Sequence, residues 1–279
     1  MSECFGNKFI LNGILQPSDL FDNSLIYEGE SVYEVIRMKN SNPLFFDDHM
    51  ERLQKSVFLQ KKEPLASILT LKKDIINLTK TEKKKEANLK IVFNYNNEKS
   101  NYLLYIIESI YPTEDQYRTG VKGTLFPAER KTPESKVINH KLRSSIYHKL
   151  IMEGAYEALL VNEGNCITEG SRSNIFFIKD GTLFTAPDHV VLSGITRKYI
   201  IDLCNENGIK VRQECINVED LPGFDAVFMT GTSPMVIPLC FIDNHHFKVT
   251  NPIIKKLRDL YIKKAEESIR LFRSDVTLK

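Results

Sequence analysis

The chain has 279 residues, of which 42% are hydrophobic and 27% charged, with a formal net charge of +2; this is the balance of an ordinary soluble globular protein and argues against a nucleic-acid or acidic-membrane binder. No window reaches the ~20 apolar residues of a membrane span, and Met1-Ser2-Glu3-Cys4 lacks the basic and apolar segments of a signal peptide. Five cysteines, Cys4, Cys166, Cys204, Cys215 and Cys240, are odd in number and unclustered, which implies no metal site and fits a reducing cytoplasm.

In chain order, Phe9-Ile10-Leu11 and Ile14-Leu15 flank Asn12-Gly13, a pair that accepts the positive φ values of a tight turn, so a hairpin is expected. Ser31 to Met38 is β-rich, Lys39 to Pro43 supplies a turn, and Leu44-Phe45-Phe46 is expected to return. Asp47 is the expected N-cap of a helix carrying His49, Arg52, Leu53 and Val57. A second helix is expected over Leu65 to Leu78. Lys83-Lys84-Lys85, flanked by Glu82 and Glu86, reads as a solvated loop, and strands follow over Leu89 to Phe93 and Tyr102 to Ile107. The polar stretch from Tyr111 to Thr119 marks a boundary. It divides a small N-terminal α/β domain (1–112) from a larger C-terminal α/β domain (120–279), with 113–119 as linker.

Leu142, Ile146 and Leu150 recur at helical spacing, and Gly154 is placed to end that helix. Strands are expected at Ala158 to Val161 and Cys166 to Glu169, around a Glu163-Gly164-Asn165 turn. Asn174 to Ile178 and Thr182 to Thr185 form a second hairpin about Asp180-Gly181. Helices begin near Thr196 and Pro252, and Ala226 to Met229 is a buried strand. Strands and helices mix without a βαβ rhythm, which gives an α+β class rather than a doubly wound sheet.

Three motifs in the second half offer chemistry. Ile167-Thr168-Glu169-Gly170-Ser171-Arg172-Ser173-Asn174 sets a carboxylate at a strand end, followed by a glycine and hydroxyls. Ser193-Gly194-Ile195-Thr196-Arg197 opens a helix whose first amides point outward to an anion. Thr230-Gly231-Thr232-Ser233 follows the buried strand and supplies another hydroxyl and amide. Singly, each has a plainer explanation: a solvated carboxylate, a capped helix, a turn.

In this order, and joined by Asp180-Gly181-Thr182-Leu183-Phe184-Thr185, Phe228-Met229 and Pro238, they resemble the class IV aminotransferases, pyridoxal-phosphate (PLP) enzymes of fold type IV. That family includes branched-chain and D-amino-acid aminotransferases and aminodeoxychorismate lyase. The similarity reaches the first domain through Gly29-Glu30-Ser31-Val32-Tyr33-Glu34-Val35-Ile36-Arg37 and His49-Met50-Glu51-Arg52-Leu53-Gln54-Lys55-Ser56, and so runs from about Gly29 to Pro238.

The resemblance implies a two-domain, D-amino-acid aminotransferase-like fold and PLP held as a Schiff base on a lysine. Lys136-Val137-Ile138-Asn139 matches the family's Lys-x-x-Asn ahead of the helix leading to Tyr156-Glu157-Ala158. Lys136 is therefore the implied Schiff-base residue and proton carrier, while Lys141 and Lys149 read as surface charges on that helix. Glu169 resembles the partner of the pyridine nitrogen, and Arg52 the phosphate arginine. Ser173, Asn174, Ile195, Thr196 and Thr232 complete the implied cofactor contacts. Tyr33 matches an active-site tyrosine, and Tyr95, Arg172 and Ser233 are the substrate candidates. Arg37 reads as a surface charge and His49 as structural.

The reaction implied is transfer of an amino group between an amino acid and a 2-keto acid, by a homodimer. Aminodeoxychorismate lyase is the rival; its threonine is replaced here by Val35, and Tyr33-Glu34-Val35 looks more like the transaminases. Substrate signatures diverge: Asn94-Tyr95-Asn96-Asn97 has no arginine where D-amino-acid enzymes carry one, and Lys141 stands where branched-chain enzymes have a tyrosine. A non-catalytic relative has no physical need for Lys136, Glu169, Arg52 and Gly194-Ile195-Thr196 together.

Overall fold

Asn12 and Gly13 take φ values of 50° and 81°, and the hairpin they close, β1 (Lys8–Leu11) with β2 (Ile14–Pro17), forms as the sequence implies. The computed structural model describes residues 2–97 and 99–277. The chain divides into two compact units. One is built from the chain up to Ile110, Ser135–Ile138 and the residues from Ala265 onward; the other is built from Tyr111–Glu134 and Asn139–Lys264. The units are thus interleaved in sequence, where a linear reading divides the chain once.

In the first unit, β1 and β2 join β3 (Glu30–Lys39), β4 (Asn42–Pro43), β5 (Glu86–Tyr95) and β6 (Asn101–Ile107) in a six-stranded antiparallel sheet of order β2-β1-β6-β5-β3-β4. Its helices are α1 (Ser24–Tyr27), α2 (Phe46–Leu59) and α3 (Ile68–Glu82). Side chains alternate across the strands. Val32, Ile36 and Met38 of β3 and Leu89, Ile91 and Phe93 of β5 pack on Met50, Leu53 and Val57 of α2 and Leu71, Ile75 and Leu78 of α3. Val92, Leu103 and Tyr105 face the other way, toward Cys4, Phe9 and Ile26, with Tyr33 beside them.

Three local expectations fail here. Leu44-Phe45-Phe46 does not return as a strand: only Asn42–Pro43 pairs with β3. Phe45 takes a φ of 51°, α2 starts at Phe46, and Asp47 lies in the first turn rather than at the cap. Burial decides this, because Leu44, Phe45 and Phe46 are all under 5% exposed and Phe46 meets Phe272 edge-on at 5.3 Å. Asp47 and Asp48 still suit the positive end of the helix dipole. The second helix starts later than expected, at Ile68, where the Ser67 hydroxyl accepts from the Thr70 N–H.

Ser135–Ile138 joins this unit through its backbone. Tyr33 N–H donates to Lys136 O at 3.0 Å, Ile138 N–H donates to Ser31 O at 3.0 Å, and Val32 bridges Val137. The segment so lengthens the edge at β3, with Val137 toward the helices and Ile138 on the Tyr33 face.

The second unit contains α4 (Glu114–Thr119), β7 (Val121–Pro127), α5 (His140–Glu153), β8 (Glu157–Val161), β9 (Cys166–Gly170), β10 (Asn174–Lys179), β11 (Thr182–Thr185), α6 (Ile195–Glu206), β12 (Val211–Gln213), β13 (Ile216–Asn217), β14 (Ala226–Gly231), β15 (Met235–Ile242), β16 (His245–His246) and α7 (Pro252–Thr277); α7 runs on into residues of the first unit. Its sheet is mixed, in the order β12-β11-β10-β14-β15-β7-β8-β9-β13, with β16 on β15. The β7–β8, β7–β15 and β11–β12 pairs are parallel. β15 escaped the sequence reading because Pro238 lies inside it, yet Pro238 pairs with Phe228 in register. Gly123 of β7 allows a close approach: a Cβ there would meet Leu239 at 2.7 Å and Leu159 at 2.8 Å.

Residues 113–119, expected as a linker, are a capped helix instead. The Thr113 hydroxyl accepts from the Gln116 N–H at 3.2 Å, and the Gln116 side chain accepts from the Thr113 N–H at 3.0 Å, a reciprocal cap worth more than polarity alone suggests. Tyr117 then donates its hydroxyl to Pro234 O at 2.9 Å, and the Arg258 guanidinium lies 3.8 Å from its ring. Thr113→Ala is expected to cost about 1 kcal/mol of stability, read as a lowered urea midpoint.

Candidate active site

In the first unit the chemistry starts from three α2 residues on one face, His49, Arg52 and Ser56, spaced three and four apart. His49 and Arg52 meet Glu34, which alternation along β3 turns toward the same helices as Val32 and Ile36. Glu34 is fully buried. It accepts from Arg52 Nε at 2.8 Å and Nη2 at 2.7 Å, and from His49 Nδ1 at 2.9 Å. Burial alone would raise its pKa, but the Arg52 charge and the hydrogen bonds from Arg52 and His49 hold the carboxyl well below the usual carboxylate range. His49 is pushed down by burial, against the pull of Glu34, so it is a neutral ring whose Nδ1–H donates.

Ser56 reaches the lysine segment: its Oγ accepts from the Lys136 N–H at 3.1 Å, and Ser135 Oγ donates to Ser56 O at 3.3 Å. The Lys136 amine lies 4.9 Å from the centroid of the Tyr33 ring. A second lysine flanks that ring. Lys90, 2% exposed, has its Nζ 5.2 Å from the Tyr33 centroid and pairs with Glu3 at 2.5 Å. Lys136 and Tyr33 are therefore neighbours, and Arg52 is tied to the same strand through Glu34. Tyr95 makes different contacts: its hydroxyl donates to Glu63 O at 2.8 Å and Lys62 covers its ring. Arg37 is paired with Glu86 at 3.5 Å and mostly covered.

In the second unit Glu169, 2% exposed, is the last residue but one of β9. One oxygen pairs with Arg130 Nε at 3.0 Å, and the other accepts the Leu192 N–H at 3.2 Å. Arg130 also donates to Ser171 O at 2.9 Å. The loop after Glu169 is organised by buried Glu157, which accepts from Ser171 Oγ at 2.5 Å and Ser173 Oγ at 2.9 Å. Asn174 Nδ2 donates to Leu192 O at 2.9 Å, and a Cβ on Gly194 would meet Asn174 Oδ1 at 2.1 Å. A side chain there would have to displace the Asn174 carboxamide from Leu192, so the start of α6 is drawn tight against β10. No side chain caps α6 at Gly194. Thr196 Oγ1 is 3.1 Å from the Tyr261 hydroxyl, and Arg197 turns back to Asp188 and Ala186 O.

Glu169, Ser173, Asn174, Ile195 and Thr196 are thus joined through the Leu192–Gly194 turn. Thr232 and Ser233 occupy the half-buried turn after β14, and Arg172 is exposed, with its guanidinium 3.3 Å from Tyr156 O. Sequence reasoning passed over Glu34, Lys90, Arg130 and Glu157. Lys90 carries a signal, being a lone charge in the apolar run Leu89-Lys90-Ile91-Val92; Arg130, in a polar loop, carries none. Among the described residues no cluster of His, Cys, Asp and Glu could hold a metal, and no helix is long and apolar enough to cross a membrane.

Residues 31–242 match the family Amino-transferase class IV. The chain is 29% identical over 266 residues to D-alanine aminotransferase of Bacillus licheniformis, covering 85% of this chain and 88% of that protein. It is 28% identical over 280 residues to a putative branched-chain-amino-acid aminotransferase of Methanocaldococcus jannaschii, covering 91% and 95%. Among solved structures, the T.th. branched-chain amino acid aminotransferase with pyridoxamine 5'-phosphate superposes with a TM-score of 0.83 at 24% identity, over 94% of this chain and 95% of that one. The fold is that of the fold type IV enzymes, and the chain belongs to the class IV aminotransferases, a PLP-dependent enzyme family.

Acid should loosen the first unit in two stages. His49 is held below its ordinary 6.5, so the unfolded chain takes the proton more readily, and stability present above that value falls as the pH drops below it. The carboxyl of Glu34 lies below its ordinary 4.5, so its contribution is complete above that value and is lost as the pH falls toward the folded-state value. The urea midpoint is expected to decline on acidification, with the earlier stage absent in His49→Asn and the later one absent in Glu34→Gln. At neutral pH, Glu34→Gln should also cost about 3 kcal/mol, because Arg52 is left buried without its anion.

Proposed function

We propose that this protein is a transaminase, moving an amino group from an amino acid to a 2-keto acid with PLP held as a Schiff base on Lys136. The observation that carries the reading is the setting of Lys136: its backbone is fixed into the β3 edge and to Ser56, and its amine lies against Tyr33. Lys141 is exposed on α5, and Lys149 pairs with Glu153 on the same helix, so neither rival shares that setting.

The donors present suit the cofactor. The uncapped N-terminus of α6, with Gly194 permitting close approach, offers backbone N–H groups and the Thr196 hydroxyl to a phosphate dianion. Arg52 supplies a guanidinium held in a fixed direction by Glu34. Glu169 supplies a buried carboxylate with both oxygens oriented, the group needed to hold a proton on a pyridine nitrogen. When bound, PLP supplies the electron-accepting ring that stabilises negative charge at the substrate carbon. Lys136 then carries the proton as general base and acid, and Tyr33 limits where its amine can swing. In this reading Ser173 and Asn174 act on the cofactor through the turn they hold.

Transamination is favoured over lyase chemistry because Val35 takes the place of the lyase threonine on β3 and offers no hydroxyl. The protein acts as a homodimer in this reading; Tyr147, Ile151 and Met152, 64%, 59% and 83% exposed on α5, are apolar surface of the kind a second copy covers. Five free thiols suit a reducing cytoplasm.

The test is to purify the protein with PLP, add single L- and D-amino acids, and follow the imine absorbance. Conversion of the cofactor to its aminated form by one amino acid is the expected result; a yellow protein inert to all of them would count against transamination. Lys136→Ala should lose the imine band and slow turnover by about 10⁴-fold. Light scattering is expected to give twice the chain mass of 32.1 kDa, falling toward one chain in Met152→Glu.

A further inference from the structure

Lys90 sits mid-strand on β5, opposite Val35 of β3 and Tyr105 of β6. It shares the sheet face of Tyr33, and at 2% exposure its ammonium requires an anion. That anion comes from far along the chain. One Glu3 oxygen accepts from Lys90 Nζ at 2.5 Å and from the Tyr105 hydroxyl at 3.0 Å, and the other accepts from the Tyr27 hydroxyl at 2.6 Å. The Glu3 side chain is 20% exposed against 3% for Lys90, so the carboxylate is the half of the pair that solvent reaches.

We propose that Lys90, with the Tyr27 and Tyr105 hydroxyls, is the carboxylate-binding site for the amino-acid substrate, and that Glu3 is a resident carboxylate which the substrate's own replaces. The inference rests on the transaminase reading above and names the residue that reading lacks, since 94–97 holds no arginine. One cation and two hydroxyl donors are the set a carboxylate needs. Burial makes the Lys90 charge count, because little water competes for it. Position supports the role as well: the Lys136 amine and the Lys90 ammonium lie 4.9 Å and 5.2 Å from the centroid of one ring, Tyr33. An amino acid carries its nitrogen and carboxylate on one carbon, or a few carbons apart when the acid is on its side chain. The Glu3 carboxyl is itself held down at about 2: burial would raise it, and the Lys90 charge and hydrogen bonds from Lys90, Tyr27 and Tyr105 outweigh burial.

A plain anchor for the N-terminal residues would make Lys90 and Glu3 equivalent, so that Lys90→Met and Glu3→Gln act alike. Exchange of carboxylates makes them act in opposite senses. Glutarate is titrated into the protein without cofactor and followed by thermal shift, and the same variants with PLP are assayed for the KM of each responding amino acid. Lys90→Met is expected to weaken glutarate by about tenfold or more, Lys90→Arg to retain it, and Glu3→Gln to tighten it by about tenfold, with KM moving in the same directions. Equal weakening by Lys90→Met and Glu3→Gln overturns the proposal, as does indifference to both. Should Lys90→Met fail to fold, the sign of the Glu3→Gln effect decides. Glutarate binding of this pattern in a protein that aminates no cofactor would defeat the transaminase reading alone; transamination without the pattern would defeat this one alone.

Discussion

A carboxylate with no access to water has to be neutralised where it lies, and Glu34 is neutralised by a two-point contact from Arg52 and a third from His49. That one set of bonds fixes α2 on β3. It therefore fixes Ser56, whose carbonyl accepts from the Ser135 hydroxyl and whose own hydroxyl accepts from the Lys136 N–H. The lysine's place is thus inherited from a buried ion pair on the other side of the strand, and a chain with an apolar residue at Glu34 could pack as well while losing the direction of Arg52. In the proposed reading, what the pair supplies is the orientation of a guanidinium.

The second unit reaches its arrangement by a different route, through close backbone approach. Glu157 gathers the hydroxyls of Ser171 and Ser173, Asn174 ties β10 to Leu192, and Gly194 lets the Asn174 carboxamide sit close against the start of α6. The residues matched to cofactor contacts in this loop, Ser173 and Asn174, spend their hydrogen bonds on the loop itself. In the proposed reading, their effect on an anion at α6 is to define where its first amides point.

Motifs were legible in the sequence where they depend on local chemistry. The Asn12-Gly13 turn, the Gly154 cap and the start of α6 follow from backbone preferences of single residues, and the family motifs follow from residues in fixed order. What escaped depends on distant partners. Nothing near Lys90 announces Glu3, 87 positions away, and nothing near Arg130 announces Glu169. Leu44-Phe45-Phe46 looked like a strand because three apolar residues do, but burial against α7 residues late in the chain turns Phe45 through a positive φ. The polar run at 113–119 looked like a linker because its two reciprocal hydrogen bonds are invisible to composition.

The interleaving of the two units has a consequence for how the protein is made. Beyond β4, the Ser31–Tyr33 end of β3 gains its neighbour from Ser135–Ile138, and the core around Phe46 gains Phe272 from α7. A ribosome that has released the first hundred residues has therefore produced a sheet with an open edge and a core missing a ring, both of which expose surface prone to wrong pairing. The first unit to emerge is the last to be finished. It stays unfinished until Phe272 has been synthesised, so a chain that stops short of that residue would leave the N-terminal half incomplete.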